Sequence, residues 1–185
     1  MEKVFIPVIL GTNREGRNSE NVAKWLMEQL ENYPEIETVL FDARDFDLPK
    51  SDYGQSIKGE FFAWTQATER ADGFILIVPE YNHGYPGILK SMLDMLFPEF
   101  HHKVAGLVGL SIGPWGGVRA LENLVPVLRE FKMMVSSPDL VFPRVQDVVS
   151  EDGKIQDDSY DKKLEKFLTD LVWWAKTLRE GRVTG

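Results

Sequence analysis

The run Gly73-Phe74-Ile75-Leu76-Ile77-Val78 (GFILIV) decides the fold. It is continuously apolar rather than alternating, as a strand reads when both faces of its sheet are covered. It is also far too short to cross a bilayer. Outward from it, short apolar runs alternate with longer amphipathic segments, the pattern of a parallel sheet covered by helices. Upstream, Val4 to Leu10 reads as a first strand ended by Gly11, and Glu37 to Phe41 as a second. Between them, Ser19 to Glu31 carries Val22, Ala23, Leu26, Met27 and Leu30 at helical spacing. Asp42 to Lys58, with Pro49 and Gly54, reads as a long loop, and Gly59 to Ala71 as a second helix.

Downstream, Pro86 to Leu96 is a third helix, with proline in the first turn, where its missing N–H costs nothing. Val104 to Ile112 gives a fourth strand and Met133 to Val141 a fifth. The helix between them, Val118 to Phe131, contains Pro126, which predicts a kink or a break. Phe142 to Asp158 is a second long connection with a tight turn at Glu151 to Lys154, and Ser159 to Glu180 is the last helix. Five such units in one domain over residues 1–185 predict a doubly wound α/β sheet with right-handed crossovers.

Composition narrows the chemistry. Hydrophobic residues make up 43% and charged residues 27% of 185, an ordinary globular balance with no membrane span. Cysteine is absent, so thiol catalysis, disulfides and cysteine metal sites are excluded, and any redox chemistry needs a bound cofactor. A net charge of -8 argues against nucleic acid as a partner. The start of the chain shows no signal-type pattern, which predicts a cytoplasmic protein.

In an open α/β sheet, ligands bind beyond the carboxyl ends of the strands. Three of those ends carry unusual loops. Gly11-Thr12-Asn13-Arg14-Glu15-Gly16-Arg17-Asn18-Ser19 brings hydroxyls, an amide and two arginines to a helix start, which suits an anion. It fits neither the Walker pattern nor G-x-G-x-x-G. Pro79-Glu80-Tyr81-Asn82-His83-Gly84-Tyr85-Pro86-Gly87 follows the buried strand and offers backbone amides to the edge of a flat ring. Ser111-Ile112-Gly113-Pro114-Trp115-Gly116-Gly117 permits close backbone approach beside a flat tryptophan wall. Alone, the first reads as readily as a capped loop with solvated arginines and the third as a strand-to-helix turn, whereas the second reads as a site ahead of a Pro/Gly-rich turn into a helix. Together they outline a site for a flat ring with a phosphate tail, which is the shape of FMN.

At these loops the chain resembles the NAD(P)H-dependent FMN reductase family of the flavodoxin-like superfamily. The segment PEYNHGYPGILKSMLD, Pro79 to Asp94, is similar to that family's central signature. GTNREGRNSENVAKWL, Gly11 to Leu26, resembles its phosphate loop, and SIGPWGG, Ser111 to Gly117, its third flavin loop. The resemblance covers about the first 140 residues. It implies a flavodoxin-like, five-stranded parallel sheet in the order 2-1-3-4-5. It implies that Thr12, Arg14, Arg17, Asn18 and Ser19 surround the FMN phosphate, with either arginine able to make the contact. By the same likeness Pro79, Glu80, Tyr81, Asn82 and His83 line one edge of the ring, and Ser111, Gly113, Trp115 and Gly116 the other. Thr12 stands where serine is commoner in the family, and its hydroxyl can equally donate to phosphate.

The implied activity is reduction of bound FMN by NADPH or NADH, then transfer to a small acceptor: a quinone, an azo compound, a metal oxyanion or free flavin. With a single cofactor serving both half-reactions, ping-pong kinetics are expected. A flavodoxin-type electron carrier is one competing reading, separated from the enzyme by NADPH oxidation; a flavin-binding structural or sensory protein is another, favoured only if bound FMN turns over with no acceptor. No side chain is named as catalytic, because the flavin carries the chemistry. His101 and His102 read as surface residues without zinc spacing. Phe61, Phe62, Trp64, Trp173 and Trp174 read as core more than ligand, with Trp173 opposite the last helix's apolar face. The broad apolar character of Pro86 to Leu96 predicts a homodimer or homotetramer, as the resemblance also implies.

Overall fold

A computed structural model describes residues 2–48, 59–155 and 157–184. The expected loop from Asp42 to Lys58 therefore lies partly outside the described residues; its start forms a short 3-10 turn, Ala43–Asp45. Strand β1 (Val4–Phe5), strand β2 (Val8–Leu10), helix α1 (Ser19–Leu30), strand β3 (Ile36–Glu37) and strand β4 (Leu40–Asp42) come first. Helix α2 (Phe62–Arg70), strand β5 (Gly73–Pro79), helix α3 (Gly87–Asp94) and strand β6 (Val104–Leu110) follow. Helix α4 (Val118–Glu130), strands β7 (Met134–Val135) and β8 (Leu140–Phe142), short helix α5 (Val145–Val148) and helix α6 (Ser159–Thr184) complete the chain.

The main sheet runs β4-β2-β5-β6-β7, with β8 also on β6, and β1 pairs with β3 separately. Every pairing between these strands is parallel. The five strands expected are thus eight segments, because three of them are interrupted. Pro7, which has no N–H for a ladder, separates β1 from β2. The pairing nevertheless crosses that gap: Ile6 N–H donates to the Glu37 carbonyl and Val8 N–H to the Val39 carbonyl, both at 2.8 Å. Pro138 lies in the interval between β7 and β8.

Strand β5 shows why its sequence does not alternate. Phe74, Leu76 and Val78 enter one core cluster with Trp64 of α2, Leu89 and Met92 of α3 and Leu124 of α4. Ile75 and Ile77 enter the other, with Leu26 of α1 and Leu168 of α6. The pleat sends successive side chains to opposite faces, and both faces are helix-covered, so every position must be apolar.

Of the kink or break expected at Pro126, helix α4 shows no break: it runs without interruption from Val118 to Glu130. Proline removes one donor, which would have served the Glu122 carbonyl four residues back. Pro126 and Glu122 both lie on the exposed side, where water can satisfy that carbonyl. Trp64 is a core residue as expected, whereas Phe62 is 63% exposed and is not. Trp173 is exposed. The apolar residues of the third helical segment, Leu89, Met92, Leu93, Met95 and Leu96, are all buried within the subunit itself. Their number therefore reflects this chain's own core.

At the N-terminal edge of the sheet, buried Asp72 accepts from Phe5 N–H at 3.0 Å, Arg179 Nη1 at 3.3 Å and Arg182 Nη2 at 2.9 Å. These bonds fix the far end of α6 and leave the opposite edge, where the three loops emerge, for the site.

Candidate functional site

The three loops meet at the C-terminal ends of β2, β5 and β6 around a cavity of about 200 Å³. Arg14, Gly16, Arg17, Asn18 and Ser19 line it from the first loop; Pro79, Glu80 and Tyr81 from the second; Leu110, Ser111 and Ile112 from the third. Val145 of α5 closes one side. Gly16, Leu110, Ile112 and Val145 were not singled out by sequence. Val145 escaped because its segment reads as a plain connection, although its N–H donates to the Ser111 carbonyl at 3.1 Å.

The first loop enters α1 without a side-chain cap from Asn18. Gly16 takes a left-handed φ of 63°, and the N–H groups from Glu15 to Ser19 have no acceptor among the described residues. Ser19 is buried, and its Oγ has no partner there either. A row of unpaired amides at a helix start beside an unpartnered hydroxyl suits an anion.

The two arginines have different surroundings. Arg17 has its side chain 1% exposed and donates to the Thr12 carbonyl and to both oxygens of Asp42, with Nη1 2.7 Å from Oδ1. Burial pushes the Asp42 carboxyl upward, but the Arg17 bonds and the Arg44 N–H together hold it below its ordinary value. Arg14 is exposed, its guanidinium lies 5.7 Å from the Tyr81 ring centroid, and it has no carboxylate partner among the described residues. Thr12 does not line the cavity. It is buried beneath it, and its Oγ1 shares a 2.9 Å hydrogen bond with Tyr81 Oη, tying the first loop to the second.

In the second loop, Tyr81 and Gly84 exchange backbone hydrogen bonds of 2.9 and 3.0 Å. Asn82 and His83 between them have φ of 52° and 70°. That is the type I′ geometry, in which a left-handed histidine is costly and must be held by its surroundings. Asn82 and His83 keep their N–H groups free of acceptors among the described residues, whereas Glu80 N–H is spent on the Leu110 carbonyl at 3.0 Å. In the third loop, Ser111 Oγ donates to the Gly113 carbonyl at 3.1 Å. Trp115 is 60% exposed and Ile112 73%, while Gly116 packs against Pro143; neither Gly113, Trp115 nor Gly116 lines the cavity.

FMN suits this donor set. The amide row, Ser19 and Arg14 match a phosphate, and the free amides of Asn82 and His83 with the exposed faces of Ile112 and Trp115 match a flat, hydrogen-bonding ring. The family described as NADPH-dependent FMN reductase matches residues 5–147. An NAD(P)H-dependent FMN reductase of Schizosaccharomyces pombe is 35% identical over 157 residues, covering 78% of each protein. A 2-hydroxy-1,4-benzoquinone reductase of a Burkholderia species is 25% identical over 144 residues, covering 75% of this chain and 79% of that one. Among solved structures, the FerB flavoenzyme NAD(P)H:(acceptor) oxidoreductase of Paracoccus denitrificans superposes with a TM-score of 0.79. It covers 94% of this chain and 98% of its own at 23% identity, so it supports the fold.

Proposed function

The chain belongs to the NADPH-dependent FMN reductase family, and from that premise we propose that it uses NADPH or NADH to reduce a small acceptor, a quinone foremost, through bound FMN. The row of N–H groups from Glu15 to Ser19 without an acceptor among the described residues, with the unpartnered Ser19 hydroxyl and Arg14, carries this reading. When bound there, FMN carries the electron pair from nicotinamide to acceptor. The chain's own residues bind and orient. Arg14 and the first-loop amides hold the phosphate, and Arg17 is spent on Asp42 and keeps the loop in shape. Asn82 and His83 present amides to the ring edge, and Trp115 and Ile112 present apolar faces to whichever flat molecule docks above it.

FMN is favoured over FAD because the first loop reads as a terminal phosphate cradle: its unpaired N–H groups, the Ser19 hydroxyl and Arg14 gather donors for one phosphate. Purified protein should release stoichiometric FMN on denaturation, and stoichiometric FAD would overturn the assignment. Turnover with NADPH or NADH and a quinone series should give parallel double-reciprocal lines, since one ring serves both substrates in turn. Intersecting lines would reject the shared-site scheme.

The protein is also proposed to pair with a second copy. The support is a largely apolar depression of about 490 Å³ between α3 and α4, lined by Leu96, exposed Phe97, Pro126, Val127 and Phe131 together with the charged Lys90, Asp94 and Glu130. Light scattering at micromolar concentration should give at least twice the single-chain mass, and the single-chain mass alone would contradict pairing.

A further inference from the structure

Glu80 follows the last residue of β5 and lines the cavity, yet its side chain is only 5% exposed. One carboxylate oxygen, Oε1, is ion-paired to Arg119 Nη2; the other, Oε2, has no partner among the described residues. A buried carboxylate with half its acceptor capacity unmet depends heavily on the one cation beside it. That cation comes from the second residue of α4. Gly117, the residue before α4, has φ 86°, and a Cβ there would lie 2.5 Å from Leu110 N, so the start of the helix is pressed onto the end of β6. Arg119 also reaches the neighbouring turn, with Nη1 2.7 Å from His83 Nε2. A guanidinium only donates, so His83 accepts at Nε2 and carries its proton on Nδ1. Four residues on, the same face of α4 sends Asn123 Nδ2 to the His83 carbonyl at 2.7 Å.

We propose that Arg119 is a positioning residue that neutralises Glu80 in the wall of the cavity and, with Asn123, holds the left-handed Asn82-His83 turn whose amides would meet the FMN ring. This rests on the FMN-binding reading above. The electrostatic consequence follows from charge balance. A hydride moves from the nicotinamide carbon to the flavin with its electron pair, leaving the nicotinamide oxidised and the ring one charge more negative. An uncompensated carboxylate nearby opposes that added charge, and Arg119 offsets the carboxylate. Arg119 therefore favours the reduced cofactor without touching it.

The test compares FMN-loaded wild type with Arg119→Gln, Arg119→Lys, Glu80→Gln and the Glu80→Gln/Arg119→Gln double variant, reading FMN affinity and the two-electron midpoint potential. Arg119→Gln should lower the preference for reduced over oxidised FMN about tenfold, a shift of about 30 mV to more negative potential. Arg119→Lys, which keeps the charge, should stay close to wild type in potential. Removing Glu80 as well should return the potential toward wild type, because the charge that needed compensation is gone. If Arg119→Gln does not retain FMN, recovery of binding in the double variant supports the proposal and its absence overturns it. An unchanged potential in FMN-loaded Arg119→Gln, or a double variant as shifted as the single one, overturns it too. Wild type that binds no FMN would instead defeat the functional reading itself, a separate outcome visible before any variant is made.

Discussion

Arg17→Ala is expected to lower stability at neutral pH by about 3 kcal/mol, the low end of what breaking a buried ion pair costs. The low end applies because the Asp42 side chain is 25% exposed and keeps the Arg44 N–H at 2.9 Å as a second donor. The loss comprises the guanidinium bonds to both Asp42 oxygens and to the Thr12 carbonyl. For a chain of this length that corresponds to a melting temperature lowered by roughly 6–12 °C. Arg17→Lys should recover little of it, because an ammonium cannot reproduce the two-pronged contact.

The same pair sets a pH dependence. Asp42 titrates below its ordinary value in the folded protein, so its contribution is complete above the unfolded carboxyl range of about 4. It fades as pH falls through the depressed folded value. The wild-type advantage over Arg17→Ala should accordingly be full at pH 7 and shrink progressively below pH 4. Thermal melts of both proteins from pH 7 to 3 check this. Melting temperatures within a degree or two of each other at pH 7 would show that Arg17 is not structural.

What the sequence could and could not reveal follows from how far apart the deciding groups lie. Strand β5 was legible because its reason is local: seven buried residues in succession between two helix layers. The three loops were legible because each follows a strand directly, and the cavity draws on all of them. The interruptions of three other strands were not, since segments of two or three residues leave no periodicity to read. Arg17 and Asp42 are 25 positions apart, and they meet only because β2 and β4 pair with Leu10 opposite Asp42. No pattern in either loop encodes that register. Arg119 and Asn123 were missed for a similar reason. Their helix was expected as the segment between the fourth and fifth strands, and the polar face that grips the Asn82-His83 turn reads as solvated surface until the turn is in place beside it. The breadth of apolar residues from Pro86 to Leu96 misled in the opposite direction, because a helix packed beneath a loop and against a sheet buries most of its circumference in its own subunit.

Arg14→Ala should weaken FMN binding by about 10- to 100-fold, the equivalent of a lost charge-assisted hydrogen bond of roughly 1.5–3 kcal/mol. Binding of riboflavin, which has the ring and the ribityl chain but no phosphate, should change little. The selectivity is the point of the comparison. Arg14 lines the cavity and rests beside the Tyr81 ring, and no carboxylate among the described residues competes for its charge. Its backbone is held independently, through the 3.0 Å bond from Arg44 Nη2 to its carbonyl, so truncating the side chain should leave the loop in place. Arg17→Ala supplies the contrast: a loop that has lost its internal support should bind both ligands worse and melt earlier. Titrating apoprotein with FMN and with riboflavin, alongside the melts, separates a residue that meets the phosphate from one that shapes its cradle. Equal losses for the two ligands in Arg14→Ala would assign Arg14 to the cradle and remove its proposed contact with the phosphate.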